Sequence, residues 1–290
     1  MQPFSLKANA IGFVVATFLS WRGIKKKGLT RSGAATAFCV GFLLVCTGLR
    51  GFNLLVFYLL GTKATKFRKE IKQKMDGTVV LSGTIARGPS QVLACSLLAV
   101  ILSLVHGIYC GEEKPIDFGE FSVASKLTCG VVAHHATCLA DTLASELGIL
   151  ATSPPVLIIQ PWRGVPPGTN GGVTLLGCFW SGFGGLLMGL FTIAFDFISG
   201  ISPLHVVPML AFSTCCGLLG SLLDSLLGAT IQQSLYDPDS KLAYQSNDDV
   251  KSATKVVSGS NILTNEQVNL VSVAATTFLG GWVLGPFFFP

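Results

Sequence analysis

Charged residues are scarce in this sequence. Only 12% of its 290 residues are Asp, Glu, Lys or Arg, whereas 50% are hydrophobic, and the mean hydropathy is +0.62. Because soluble domains carry about 25% charged residues, this composition excludes an ordinary soluble enzyme and predicts an integral, multi-pass membrane protein. The net charge of +5 does not indicate nucleic-acid binding, since the basic residues are grouped in short loops between apolar segments.

Signatures of three other kinds of protein are also missing. The nine cysteines include no CxxC pair, and several lie inside apolar runs, so neither a zinc ligand set nor a disulfide framework is expected. No Gly-Lys-Ser/Thr follows the glycine-rich run near residue 170, which excludes a Walker A nucleotide site. The N-terminus has no arginine- and serine-rich leader, and we therefore expect no transit peptide. The organelle and the oligomeric state stay open.

What the sequence does contain is a series of long apolar segments. At about 20 residues per membrane crossing, they predict an all-α fold, a polytopic membrane helix bundle. We expect about seven or eight transmembrane helices in a single membrane domain, residues 1–290. The segment 51–60 is too short to cross alone and is either a half-helix or part of a longer helix. The other predicted apolar segments are 8–21, 33–49, 90–109, 121–150, 173–198, 203–229 and 269–287.

Basic residues are distributed unevenly among the connecting loops. The loops 22–32, 61–88, 150–173 and 229–267 hold sixteen of the twenty Lys and Arg residues, and the loop 110–120 is net acidic. The positive-inside rule then places those four loops in the cytosol or an equivalent compartment, and the loop 110–120 outside. Within them, 61–88 predicts a basic helix on the membrane surface, and 231–260 predicts a flexible polar loop.

Carboxylates occur near the predicted cytosolic ends of two apolar segments. In the run ADTLASELG, Asp141, Ser145 and Glu146 share one side of a helix at 100° per residue. Asp224 lies in SLLDSLLGAT. Charges at membrane depth cost about 2.5–3.5 kcal/mol each, and such hard oxygen ligands suit Mg²⁺ shared with phosphates. The alternative is that each acid only caps or anchors a helix end near water.

A glycine- and proline-rich break, PWRGVPPGTNGG, separates two of the apolar segments. Its backbone N–H groups at Gly168, Thr169, Asn170 and Gly171 can turn toward an anion, with a helix expected to start at Val173. Alternatively, Thr169 or Asn170 simply caps that helix.

Cations for a bound phosphate are available in two of the basic loops. Arg163, Lys63 and Arg87 are the candidates. Asn269, one turn into the last helix, indicates a bond to another helix or a ligand. By contrast, His134 and His135 are interpreted as packed, hydrogen-bonded residues.

Several of these runs occur together in a known family. GTKATK, ADTLASELG, PWRGVPPGTNGG, DSLLGAT and NEQVNL stand in the same order as in the transmembrane protein 19 family, which is similar to the bacterial membrane proteins with domain of unknown function 92 and to the plant phytyl-phosphate kinase of the vitamin E pathway. The resemblance implies a CTP-using transfer of phosphate to an isoprenoid monophosphate. By motif position, it implies a site that contains Asp141, Glu146, Gly168, Thr169, Asn170, Gly171, Asp224 and Asn269.

Two functional hypotheses follow, and a scaffold with a degenerate site is a third possibility. In the first, the protein is a lipid-phosphate kinase of the bilayer: Asp141, Glu146 and Asp224 bind Mg²⁺, Arg163 acts with the two aspartates in catalysis, and the partners are a nucleotide and an isoprenoid phosphate. The remaining candidates for binding substrate or nucleotide are Lys63, Arg87, Ser145, Glu146, Gly168, Thr169, Asn170, Gly171 and Asn269. In the second, it is a cation-coupled transporter whose ion site is Asp141 and Asp224.

Overall fold

The computed structural model describes residues 1–75, 86–202, 205–245 and 254–289. The chain is mostly helical, as the sequence predicts. Three of its described helices are long and apolar enough to cross a membrane: Leu175–Ile198, Val206–Ile231 and Asn265–Phe288. Two further apolar helices, Arg31–Thr47 and Leu97–Cys110, are shorter. The total of seven or eight crossings stays a prediction.

Eleven α-helices are described. The N-terminal half contains α1 (Leu6–Lys25), α2 (Arg31–Thr47), α3 (Asn53–Lys66), α4 (Lys69–Lys72), α5 (Pro89–Ala94) and α6 (Leu97–Val105). The C-terminal half contains α7 (Ser122–Gly148), α8 (Leu175–Ile198), α9 (Val206–Ile231), α10 (Asn265–Leu279) and α11 (Gly285–Phe288). A π-helical turn, Gly280–Leu284, joins α10 to α11.

Helix α7 is the centre of the bundle. It packs against α3, α6, α8, α9 and α10, and most of its residues are buried. Glycines on its neighbours permit this approach: a methyl group added at Gly184 of α8 would lie 2.7 Å from Cα of Ala140, closer than packed atoms allow. Gly220 of α9 meets Thr137, and Gly280 meets Ala133, in the same way. Small residues at helix contacts are typical of membrane bundles.

The chain reverses direction at the start of the segment 51–60, which the sequence left as either a half-helix or part of a longer helix. A 3₁₀ turn, Leu49–Phe52, ends α2 and leads into α3, which runs back through the bundle. The turn is fixed by Arg50, which is 5% exposed. Its guanidinium forms a bidentate ion pair with Asp196 of α8, at 2.6 and 3.1 Å, and also donates to Thr128. Glu113 accepts from the backbone N–H groups of Leu49 and Arg50.

Two predicted helices are interrupted. The expected crossing 90–109 breaks after Ala94, where Ser96 bonds back to the carbonyl of Val92 at 2.6 Å, and α6 begins at Leu97. The expected basic surface helix is also not continuous, since α3 ends at Lys66 and Arg68 adopts a positive φ of 47° before α4. Residues 76–85 of that predicted loop lie outside the described residues.

The structure also contains two small antiparallel sheets, which the all-α prediction did not include. In the first, β1 (Val156–Leu157) pairs with β2 (Gln160–Gly164) and β3 (Gly172–Val173). In the second, β4 (Ser234–Asp237) lies between β5 (Leu242–Gln245) and β6 (Lys255–Ser258). The expected flexible loop 231–260 is therefore structured on both sides of residues 246–253, which lie outside the described residues.

The four basic loops meet at one end of the bundle. Leu29 bridges to Arg87, so the first two loops adjoin. The third and fourth adjoin where the amide of Asn170 donates to Ser234 Oγ at 2.9 Å. The Arg50 ion pair and the acidic loop 110–120 lie together at the opposite end. They are joined there by a hydrogen bond from the Arg50 guanidinium to the carbonyl of Lys114.

We expect Arg50→Met to lower stability by about 3–5 kcal/mol, because it leaves the buried Asp196 carboxylate without its partner. Thermal unfolding of the detergent-purified protein measures this loss. The matched control, Arg22→Met, changes an exposed arginine and should leave the midpoint within the error. A variant Arg50→Met as stable as the wild type would contradict a structural role for the ion pair.

Candidate functional site

A cavity of about 550 Å³ opens at the end of the bundle where the basic loops meet. Its polar lining comes from the ends of α7, α9 and α10 and from the glycine-rich loop; its apolar lining comes from α1, α2, α3 and α5. Ten of the residues predicted for the site line it: Arg87, Asp141, Ser145, Glu146, Gly168, Thr169, Asn170, Gly171, Asp224 and Asn269. Such a volume is typical of a small-molecule pocket.

Asp141 projects into this cavity from the last third of α7. Its Oδ1 accepts from Ser221 Oγ of α9 at 3.5 Å. No described residue bonds its second oxygen. Ser145, one turn later, donates to the carbonyl of Asp141 at 2.9 Å, so its hydroxyl is held by its own helix.

Asp224 is held more firmly than Asp141. Ser272 Oγ of α10 donates to Oδ2 at 2.9 Å. The side-chain amide of Asn269, oriented with its nitrogen toward the acid, donates to the same oxygen at 3.0 Å and to the Asn265 carbonyl at 3.2 Å. Asn269 therefore bonds another helix, which is one of the two roles expected for it. Oδ1 of Asp224 has no hydrogen bond from any described residue.

The two aspartates are neighbours across the α7–α9 contact. Ser221, which bonds Asp141, is three residues before Asp224 on α9, less than one helical turn. The two acids therefore lie on the same side of the α7–α9 contact, and each has one oxygen that no described residue bonds. Two carboxylate oxygens with room for phosphate and water are the donor set that Mg²⁺ commonly uses.

Glu146 has a different environment from the two aspartates. Its carboxylate forms an ion pair with Lys72 of α4, which is 3% exposed and also donates to the carbonyls of Ala64 and Thr65. Among the described residues, no three His, Cys, Asp or Glu side chains gather as a metal site. The geometry thus leaves Asp141 and Asp224 as the pair suited to a cation, and a metal-binding role for Glu146 stays a prediction.

The glycine-rich loop is a packed turn. Gly171 has a φ of +77°, and a side chain there would meet Ala229, whose Cα lies 2.7 Å from the added carbon. The amides of Thr169 and Gly172 donate within the loop, at 3.2 and 3.0 Å, and that of Asn170 donates to Ser234. Three of the five N–H groups from 168 to 172 are therefore already bonded.

Helix α8 starts two residues later than predicted. Thr174 is its N-cap, accepting from the amide of Gly177 at 3.0 Å, while Val173 belongs to β3. The suggestion that Thr169 or Asn170 caps the helix was wrong, because the short β3 strand separates the loop from the first helical turn.

The three predicted cations are not placed together. Arg87 lines the cavity, where its backbone is fixed by hydrogen bonds with Gly28 and Thr30. Lys63 is exposed in the last turn of α3. Arg163 is exposed on β2 and donates to the Val257 carbonyl at 3.0 Å. Neither of these two lines the cavity.

The two histidines of α7 are buried, as interpreted from the sequence. Nε2 of His134 lies 3.0 Å from the Cys95 carbonyl, and Nδ1 of His135 lies 2.9 Å from the Val131 carbonyl.

Sequence reasoning missed three residues of the site. Ser221 and Ser272 are small polar residues within one turn of Asp224 and Asn269 on the same helices, and this spacing was the available signal. Lys72 gave no signal, since it lies in a run of similar basic residues.

Comparisons with known proteins agree with the membrane architecture. The family model described as "Integral membrane protein DUF92" matches residues 14–277. Protein PGR of Arabidopsis thaliana is 34% identical over 276 residues, covering 92% of each chain. An uncharacterised membrane protein of Methanocaldococcus jannaschii is 27% identical over 261 residues, covering 89% of this chain and 84% of its own.

A third relative is an uncharacterised membrane protein of Synechocystis, 29% identical over 211 residues, which covers 71% of this chain and 73% of its own. No solved structure matches. The family model and the Arabidopsis relative span nearly all of the chain, including both aspartates and the glycine-rich loop. The protein is therefore a member of the DUF92 family of integral membrane proteins.

Proposed function

We propose that this protein is a kinase that transfers a phosphoryl group from CTP to an isoprenoid monophosphate at the cavity. The observation that carries the proposal is the composition of one cavity, which combines two half-bonded aspartates, an arginine and a glycine turn with an apolar lining from α1, α2, α3 and α5. Phosphoryl transfer requires mainly positioning and charge stabilisation, and an isoprenoid phosphate has both a polar head and an apolar chain.

The transfer balances without a protein nucleophile. A phosphate oxygen of the isoprenoid monophosphate attacks the γ-phosphorus of CTP, the bond from that phosphorus to the β–γ bridging oxygen breaks, and CDP leaves. The products are CDP and the isoprenoid diphosphate. The protein's part is to align the two phosphates and to neutralise the charge of the transferred group.

Asp141 and Asp224 are the residues that would hold Mg²⁺, through the oxygens that no described donor occupies. Bound there, the cation would offset the negative charge of the nucleotide phosphates. Ser221, Ser272 and Asn269 bond the other oxygens and thereby restrain the two carboxylates, both of which line the cavity.

Arg87 is the cation at the cavity lining and is assigned to the transferred phosphate. Arg163 and Lys63, which lie outside the lining, would serve only at the approach of an anion to the cavity mouth. The Lys72–Glu146 pair ties α4 to the end of α7 and fixes the wall beside Asp141.

The proposal includes an orientation in the membrane. The loop end of the bundle carries most of the Lys and Arg residues, and we place it in the cytosol by the positive-inside rule. As part of the proposal, the chain crosses the membrane about seven or eight times. CTP would then reach the cavity from the cytosol, and the isoprenoid phosphate from the bilayer.

We expect Asp141→Asn to reduce turnover about a hundredfold or more, because it removes one of the two carboxylates proposed to hold Mg²⁺, which offsets the charge of the phosphates. The measurement follows label from γ-labelled CTP into farnesyl diphosphate, with purified protein in lipid nanodiscs. Asp239→Asn changes an exposed aspartate away from the cavity and should retain wild-type turnover. Full activity in a folded Asp141→Asn protein would refute the assigned role.

We expect Ser272→Ala to raise the Mg²⁺ concentration needed for half-maximal turnover about tenfold, since a lost bond to a metal-holding carboxylate weakens its orientation. Turnover at saturating Mg²⁺ should change much less. Ser260→Ala, an exposed serine, serves as the matched control. An unchanged Mg²⁺ titration in Ser272→Ala would show that Asp224 does not act through the cation.

The transporter hypothesis is the other outcome of these experiments. Ion flux in proteoliposomes without nucleotide, abolished by Asp141→Asn, together with no label transfer in the wild type, would favour it over the kinase.

A further inference from the structure

The cavity has an apolar part that the proposed phosphoryl transfer does not require. It is lined by Ala37 and Gly41 of α2, by Leu54 and Tyr58 of α3, and by Val92 of α5. All five line the same continuous cavity as Asp141 and Asp224. Apart from the Tyr58 hydroxyl, these five side chains offer no hydrogen-bonding group, so burying the polar groups of a nucleotide among them would be unfavourable.

The depth of this part follows from helix geometry. α2 begins at the loop end with Arg31, so at 1.5 Å per residue Ala37 lies about 9 Å and Gly41 about 15 Å along its axis. α3 reaches the same end at Lys66, which places Tyr58 about 12 Å and Leu54 about 18 Å deep. The lining therefore descends to about the middle of a 30 Å hydrocarbon layer.

We infer that this part of the cavity binds the hydrocarbon chain of the isoprenoid substrate, and that Ala37 and Gly41 set the longest chain that fits. The inference rests on the proposed kinase function and specifies its substrate selection. The phosphate lies at the aspartates near the membrane surface, and the chain runs inward between α2 and α3, as it would lie in the bilayer.

Ala37 and Gly41 are small and therefore leave the apolar part of the cavity open. They are four residues apart and so lie on one side of the helix. A methyl group added at Gly41 would lie 3.7 Å from Cβ of Ala16, an ordinary contact. The backbone therefore accepts a side chain at Gly41. Because Ala37 and Gly41 both line the cavity, we expect a leucine at either position to reduce the space assigned to the chain.

The test compares leucine substitutions at two depths of the cavity. Ala37→Leu and Gly41→Leu are assayed with geranyl, farnesyl and geranylgeranyl monophosphates, alongside Ala35→Leu, the same change on an exposed position of the same helix. We expect Ala37→Leu to lower kcat/KM for farnesyl and geranylgeranyl substrates by about tenfold or more and to spare geranyl phosphate. Gly41→Leu should lower only the geranylgeranyl value, and Ala35→Leu none.

Equal losses for all three chain lengths, or none, would overturn the inference while leaving the kinase proposal intact. A second measurement does not depend on turnover or on the variants. A farnesyl monophosphate with a diazirine at the chain end should photolabel wild-type peptides from α2 or α3. Labelling confined to α8 and α9 would overturn the inference, whereas correct labelling without any label transfer from CTP would contradict the kinase alone.

Discussion

Close packing around α7 is the constraint on which the rest of the molecule depends. Lipid offers no hydrogen bonds and no hydrophobic gain between helices, so a membrane bundle is held by contact at short range. Gly184, Gly220 and Gly280 remove the side chains that would separate α8, α9 and the end of α10 from α7. The same contacts bring Asp141 against Ser221, and hence near Asp224, so packing and site geometry have one cause.

The charged groups are fully hydrogen-bonded at one end of the bundle and only partly hydrogen-bonded at the other. At one end Arg50, Asp196 and Glu113 satisfy one another and the backbone. Such a closed network fixes a chain reversal and leaves nothing for a ligand. At the other end Asp141 and Asp224 each keep an oxygen without a described donor beside a cavity. Partly bonded carboxylates at membrane depth are costly, which favours a functional reason for them.

Prediction from sequence succeeded where the signal was local. The apolar segments, the two acidic runs and the glycine-rich break are patterns within a few residues, and the family resemblance rests on the same runs. It did less well where partners are distant. Lys63, Lys72 and Arg163 look alike in the sequence, yet only Lys72 is buried against an acid. The strands flanking residues 246–253 also gave no signal, since short pairings between loops depend on what they pack against.

By itself, the sequence determined that this is a helical membrane protein, that its basic loops share one side, and that its acids stand near helix ends, because composition and periodicity act residue by residue. Only the tertiary structure decided which acids are free and which are paired, which cation reaches the cavity, and that an apolar channel adjoins the aspartates. Those features require side chains that are distant in sequence to meet, as Lys72 meets Glu146 across 74 residues and Arg50 meets Asp196 across 146. Such contacts are fixed by helix packing.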